Sequence, residues 1–134
     1  MADFKHRALQ LGEARPLVYT AMSKHIFYFR MFISKFVLEQ DGVPLNPFMV
    51  FDYFMFDTVE RDTVRQANNV LVARSDEIWV FGPVSNGVLA EVIQAKEQQK
   101  PVRYFGVRSP AEIIEYTKDD APMEDDVKDQ RNRL

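Results

Sequence analysis

Glu91 closes the run Ser85-Asn86-Gly87-Val88-Leu89-Ala90-Glu91, which follows an apolar stretch, Ile78 to Phe81, and a breaker pair, Gly82-Pro83. An apolar run, breakers, a polar turn and a helix-period pattern predict a buried strand, a tight loop and a helix N-terminus. Such a junction presents free backbone N–H groups and the positive end of a dipole, a natural place for an anion. Ser85 is placed to cap the helix. Glu91 lies less than two turns further in, and its Cα–Cβ bond tilts back toward the N-terminus. Its carboxylate would lean toward a mouth suited to a phosphate or a sugar. On spacing alone a second reading stands beside this one: Glu91 flanks the Val88, Val92, Ala95 stripe, where glutamates are usually solvated.

Asp62 is the second candidate carboxylate. It falls between Val59 and Thr63, inside the apolar stripe of the preceding helical pattern. An inward carboxylate must be paired, hydrogen-bonded or opened into a site. It therefore either bridges to Arg61 or Arg65, or serves a cleft. Tyr19 and Ser23 follow the first predicted strand, at the same sheet edge as Ser85, and three polar groups converging on one edge suggest a site. His25 alone reads more readily as a helix-start residue than as a base. The aromatic run Phe48 to Phe56 reads as core or subunit contact rather than a base-stacking platform.

These residues need a scaffold. Pro16 to Ala21 reads as the first strand, and residues 24–40 as a helix stopped by Gly42. Val43 to Pro47 reads as a short edge strand, because its prolines suit an edge. A helix over 58–74, with Val59, Thr63, Ala67, Val70 and Leu71 on its stripe, precedes the Glu77–Phe81 strand. The helix from Asn86 to about Gln99 and a strand over Lys100–Gly106 follow. Pro110 to Tyr116 reads as a last helix with proline near its first position. The first fourteen residues predict a leader or short helix on the outside, and the charged stretch from Lys118 a frayed tail. Strands alternating with helices predict an α/β fold: a doubly wound, Rossmann-like or flavodoxin-like parallel sheet of four to five strands with helices on both faces. The expectation is a single domain over 1–134, with its core at about 16–117 and a charged tail over 118–134.

Composition narrows the classes. The chain has 134 residues, 46% hydrophobic and 28% charged, with eleven Phe, which fits a globular core. It has no cysteine and two histidines, so disulfides, thiol catalysis and cysteine-ligated zinc are excluded and a histidine metal site has little to draw on. A net charge of −3 argues against a general surface for polymeric nucleic acid. The N-terminus lacks a signal-peptide apolar core and no apolar run reaches a bilayer span, so a cytoplasmic protein without membrane contact is expected.

In these motifs the chain resembles the nucleoside 2-deoxyribosyltransferase superfamily, and most closely its 2'-deoxynucleoside 5'-monophosphate N-glycosidase branch. The resemblance rests on Ser85-Asn86-Gly87-Val88-Leu89-Ala90-Glu91-Val92-Ile93-Gln94-Ala95 followed by Gln99-Lys100-Pro101-Val102. It rests further on Glu60-Arg61-Asp62 at a helix start, and on Tyr19-Thr20-Ala21-Met22-Ser23-Lys24-His25 after the first strand. It spans about residues 16 to 107. Met22 stands where the branch carries a loop glycine, and His25 where it carries an arginine. The resemblance implies cleavage of an N-glycosidic bond through a covalent glycosyl-Glu91 intermediate, with Tyr19 orienting Glu91 and Asp62 assisting the departing base. It implies substrate contacts from Ser85, Asn86, Gly87, Ser23, Lys24 and His25, no metal or other cofactor, and a homodimer or larger assembly. Ser85, the helix N-terminus, Ser23 and Lys24 favour a 5'-phosphate over a free hydroxyl. A non-catalytic nucleotide-binding or sensing module on the same fold is the alternative, since fold does not fix function.

Overall fold

The computed structural model describes residues 3–12, 14–51 and 57–134. The strands are β1 (Leu17–Met22), β2 (Val43–Leu45), β3 (Glu77–Phe81), β4 (Val102–Ser109) and β5 (Glu112–Tyr116). The helices are α1 (Arg30–Glu39), α2 (Pro47–Val50), α3 (Arg61–Arg74) and α4 (Asn86–Glu97). Short 3-10 turns span Arg7–Gln10, Lys24–Phe29 and Asp125–Arg133. The five strands form one mixed sheet in the order β2-β1-β3-β4-β5. β1 to β4 are mutually parallel, and β5 returns antiparallel to β4.

β1 and β3 read as near-continuous apolar runs because both of their faces are buried. Alternate residues feed two cores. Tyr19, Ala21, Ile78, Val80 and Tyr104 join Val72 of α3 and Val88, Leu89, Val92 and Ala95 of α4. Val18, Met22, Trp79, Phe81 and Phe105 join Ile33 and Val37 of α1. The second core is aromatic: Phe81 stacks on Phe105 at 5.0 Å, and Phe36 meets Phe105 edge-on at 5.3 Å. Gly42 follows α1 because a side chain there would press on Val37 and Val18.

The sheet is mixed rather than wholly parallel as expected, because β5 returns antiparallel, and two segments also depart from expectation. The Pro110–Tyr116 segment is not a helix. Ser109 Oγ accepts from Ala111 N in a turn, and the chain folds back as β5. Ile113, Ile114 and Tyr116 fit helical and extended spacing alike, and pairing with β4 decides. Gly106 lies under the Tyr116 ring, where any side chain on residue 106 would collide with it. The stretch from Lys118 is not a frayed tail either. Val84 N donates to Pro122 O, and Glu124 N donates to Val84 O. Ala121, Met123, Val127 and Leu134 are buried in the α4 core. A few well-spaced apolar anchors suffice, even in a charged stretch.

The helix expected over 58–74 begins at Arg61, and its inward face differs from the expected one. Val64, Ala67, Asn68, Leu71 and Val72 turn inward, while Asp62, Thr63 and Val70 are exposed. Of the aromatic run expected at a subunit contact, residues 52–56 lie outside the described residues. Within the rest, Asn46 Oδ1 accepts from Phe48 N and Pro47 opens α2. No helix among the described residues is long and apolar enough to cross a membrane.

Candidate active site

β1 and β3 are neighbours, and both carboxyl ends open on the same side. The loop after β1 carries Ser23, Lys24 and His25. The loop after β3 turns at Gly82, whose φ of 78° lies in the region glycine reaches without strain, and delivers Ser85 to α4. Both serines act as helix caps. Ser23 Oγ accepts from His25 N at 3.2 Å, and Ser85 Oγ accepts from Val88 N at 3.3 Å. This local chemistry fixes the two loops that face each other across the sheet end.

Between them lies a cavity of about 440 Å³. Ser23, Lys24, His25, Ser85, Asn86, Gly87 and Glu91 line it, so the structure brings together every expected binding residue and Glu91. Glu91 is not a solvated flank residue. It is half-buried, and its Oε2 is fully buried with no hydrogen-bond partner among the described residues. Beneath it, Tyr19 is completely buried, and its hydroxyl also lacks a partner among the described residues. The phenol faces the carboxylate closely enough for each to influence the other's proton.

The electrostatics follow from that burial. Loss of solvent pushes the Glu91 carboxyl up from its ordinary value to about 8, and the nearby Tyr19 hydroxyl only partly offsets this. Burial, with the Glu91 charge second, drives the Tyr19 phenol well above its ordinary range. A buried acceptor and a buried hydroxyl left open at the base of a cleft are costly unless a ligand completes them.

Asp62 is not brought to this cleft. Its side chain is 73% exposed and pairs with Arg65 at 2.8 Å, which is the structural bridge, and at such exposure the pair contributes little. Two residues enter that sequence reasoning missed. Glu124 and Asp126 line the same cavity, delivered by the C-terminal segment that bonds to Val84. An acidic run in an apolar-poor stretch gives no periodic signal. Only the pairing of Met123 with Val84 carries it to the cleft. Among the described residues no group of three or more His, Asp or Glu side chains is arranged to hold a metal ion.

A family model described as a domain of unknown function, DUF7768, matches residues 19–105. The matched span begins at Tyr19, ends in β4 and contains both cleft loops and Glu91. No curated protein matches the chain.

Proposed function

This chain belongs to the DUF7768 family, and we propose that it cleaves the N-glycosidic bond of a nucleoside or nucleoside 5'-monophosphate, in the manner of the nucleoside 2-deoxyribosyltransferases it resembles. One observation carries this reading: a half-buried Glu91, with its Oε2 buried and without a partner among the described residues, lines a polar cleft and faces the buried phenol of Tyr19 behind it. The strand order supports a doubly wound, flavodoxin-like arrangement. α1, between β1 and β2, packs on one core and α4, between β3 and β4, packs on the other. The cleft then lies at the switch point where such sheets bind ligands.

In this reaction a Glu91 oxygen attacks the anomeric carbon as the carbon–nitrogen bond breaks, and the base leaves with the bonding electrons. Water then hydrolyses the glycosyl ester, or a second base displaces it. The positive charge growing on the sugar favours the ionised form of Glu91. Tyr19 donates to that ionised form and orients it. Ser23, Ser85, Asn86 and Gly87 hold the sugar. Asp62, on the outer side of α3, has no part in this scheme. Self-association belongs to the same reading: Tyr28, Met31, Met49 and Val50 leave apolar surface exposed around α1 and α2.

The non-catalytic reading has an observation of its own. With its proton held to about pH 8, Glu91 is mostly neutral at physiological pH and suited to donate a hydrogen bond to a ligand. Product analysis after incubation with a panel of nucleosides and their 5'-monophosphates separates the two. Released base supports the glycosidase. Binding without release from any member supports the module.

A further inference from the structure

A second cavity, of about 310 Å³, adjoins the first and shares Lys24 with it. Its wall is made by the exposed first turns of α3. Arg61, Arg65 and Asn68 line it together with Lys24, Phe48 and Asp57. The two chambers differ in charge. The cleft carries the carboxylates of Glu124 and Asp126 around Lys24, beside a Glu91 that burial keeps protonated up to about pH 8. Among the described residues the second chamber is lined by three cations, Lys24, Arg61 and Arg65, and by the carboxylate of Asp57. Arg65 is steadied by Asp62 at 2.8 Å. Arg61 and Lys24 make no ion pair among the described residues. Asn68 Oδ1 is buried and lacks a partner among the described residues, so this chamber also calls for a donor from outside the protein.

We propose that the Lys24–Arg61–Arg65 chamber binds a phosphate group of the ligand, while the acidic cleft around Glu91 takes its uncharged part. A phosphate seated at Ser85 would share its cavity with the carboxylates of Glu124 and Asp126, and their like charge disfavours it. In the second chamber two guanidinium groups can each present a pair of parallel donors to phosphate oxygens, and Lys24 adds a point charge from the boundary. A hydroxyl on the protonated phosphate, or one beside it on the ligand, would satisfy Asn68 Oδ1. The position departs from the sequence expectation, which puts the phosphate at the α4 N-terminus. The proposal deepens the function proposed above, and it rests on that reading only in assigning the cleft to the rest of the ligand.

The test reads binding, not turnover, so its outcome is separate from that of base release. The full chain is titrated with inorganic phosphate, followed by phosphorus NMR or calorimetry. Saturable binding is expected to weaken by roughly tenfold in Arg61→Gln and again in Lys24→Gln, the usual scale for losing one charge-assisted hydrogen bond. Arg74→Gln, an exposed charge outside both chambers, controls for net charge and should match the unmodified protein. All three positions are exposed, and far-ultraviolet dichroism confirms the folds. The proposal is overturned if the unmodified protein shows no saturable phosphate binding. It is overturned equally if Ser85→Ala abolishes that binding while Arg61→Gln and Lys24→Gln retain it.

Discussion

The Tyr19 hydroxyl and the Glu91 carboxylate are buried against each other, and neither Tyr19 Oη nor Glu91 Oε2 has a hydrogen-bond partner among the described residues. One stands on β1 and the other on α4, so sheet and helix together hold an unfinished polar pair.

The first consequence is a pH profile. In the proposed reaction attack needs ionised Glu91, and burial holds its proton to about pH 8. On that proposal, kcat/KM for base release should climb about tenfold per pH unit below that value and level off above it. A flat profile between about pH 6 and pH 9 would argue that Glu91 is not the titrating nucleophile.

The same burial makes Glu91 a stability switch. Its carboxyl titrates near 8 when folded, against an ordinary value of 4.5. The folded chain therefore keeps a proton that the unfolded chain has released between those values. This contribution is full below the ordinary value and is lost as pH rises through the folded one. Glu91→Gln has no proton to lose. It should match the unmodified protein at about pH 4 and exceed it by a few kcal/mol at about pH 9. Urea titrations at both pH values check this. Base release by the same variant should fall by several orders of magnitude.

Tyr19→Phe removes a buried hydroxyl that has no partner. Stability should change by no more than about 1 kcal/mol, and an increase is the expected sign. Because Tyr19 lowers the Glu91 pKa, the midpoint of the activity profile should move to higher pH. A shift to lower pH would contradict the orienting role given to the phenol.

Val127 and Met123 separate an anchored C-terminal segment from a frayed one. Both are buried against the α4 core. Alanine at either should cost roughly 2 kcal/mol in denaturant unfolding. Changes within about half a kcal/mol, as for surface positions, would mean the segment is detached in solution.

Asp62→Asn removes only an exposed ion pair with Arg65. Stability should fall by no more than about half a kcal/mol, and base release should be unchanged. A large loss of turnover, greatest for poor leaving groups, would restore Asp62 as the proton donor.

Much of the scaffold was legible in the sequence. Ile78 to Phe81 is apolar throughout because it lies in a strand covered on both sides, and Ser85 marks its helix start through the capping bond to Val88 N. Glu91 shows what spacing cannot resolve: the flank of a helix stripe faces either water or a cleft, and only the opposing β1 loop decides. Asp62 went the other way. Counting the stripe from Val59 and Thr63 turned α3 so that Asp62 pointed inward, whereas packing selects Val64, Asn68 and Leu71. Ile113 and Ile114 suit a helix locally and became a strand because β4 offered an open edge beside Gly106. Glu124 and Asp126 were out of reach, since their place depends on two backbone bonds at Val84 between segments far apart in the chain.

The sheet's two borders also constrain how copies of this protein could meet. Val43 N donates toward β1 at Pro16 O, and successive residues of a strand alternate, so Pro44 turns its ring nitrogen outward, where it offers no donor. At the far border β5 is short and exposes Glu112 and Glu115, the latter held by Arg103 through two bonds of 2.8 Å. Neither border is a good template for a sixth strand, which is how many sheet proteins are kept from fusing into fibres. The proposed self-association would thereby be steered away from the sheet edges and toward the helical flank, where Tyr28, Met31 and Met49 leave apolar surface exposed.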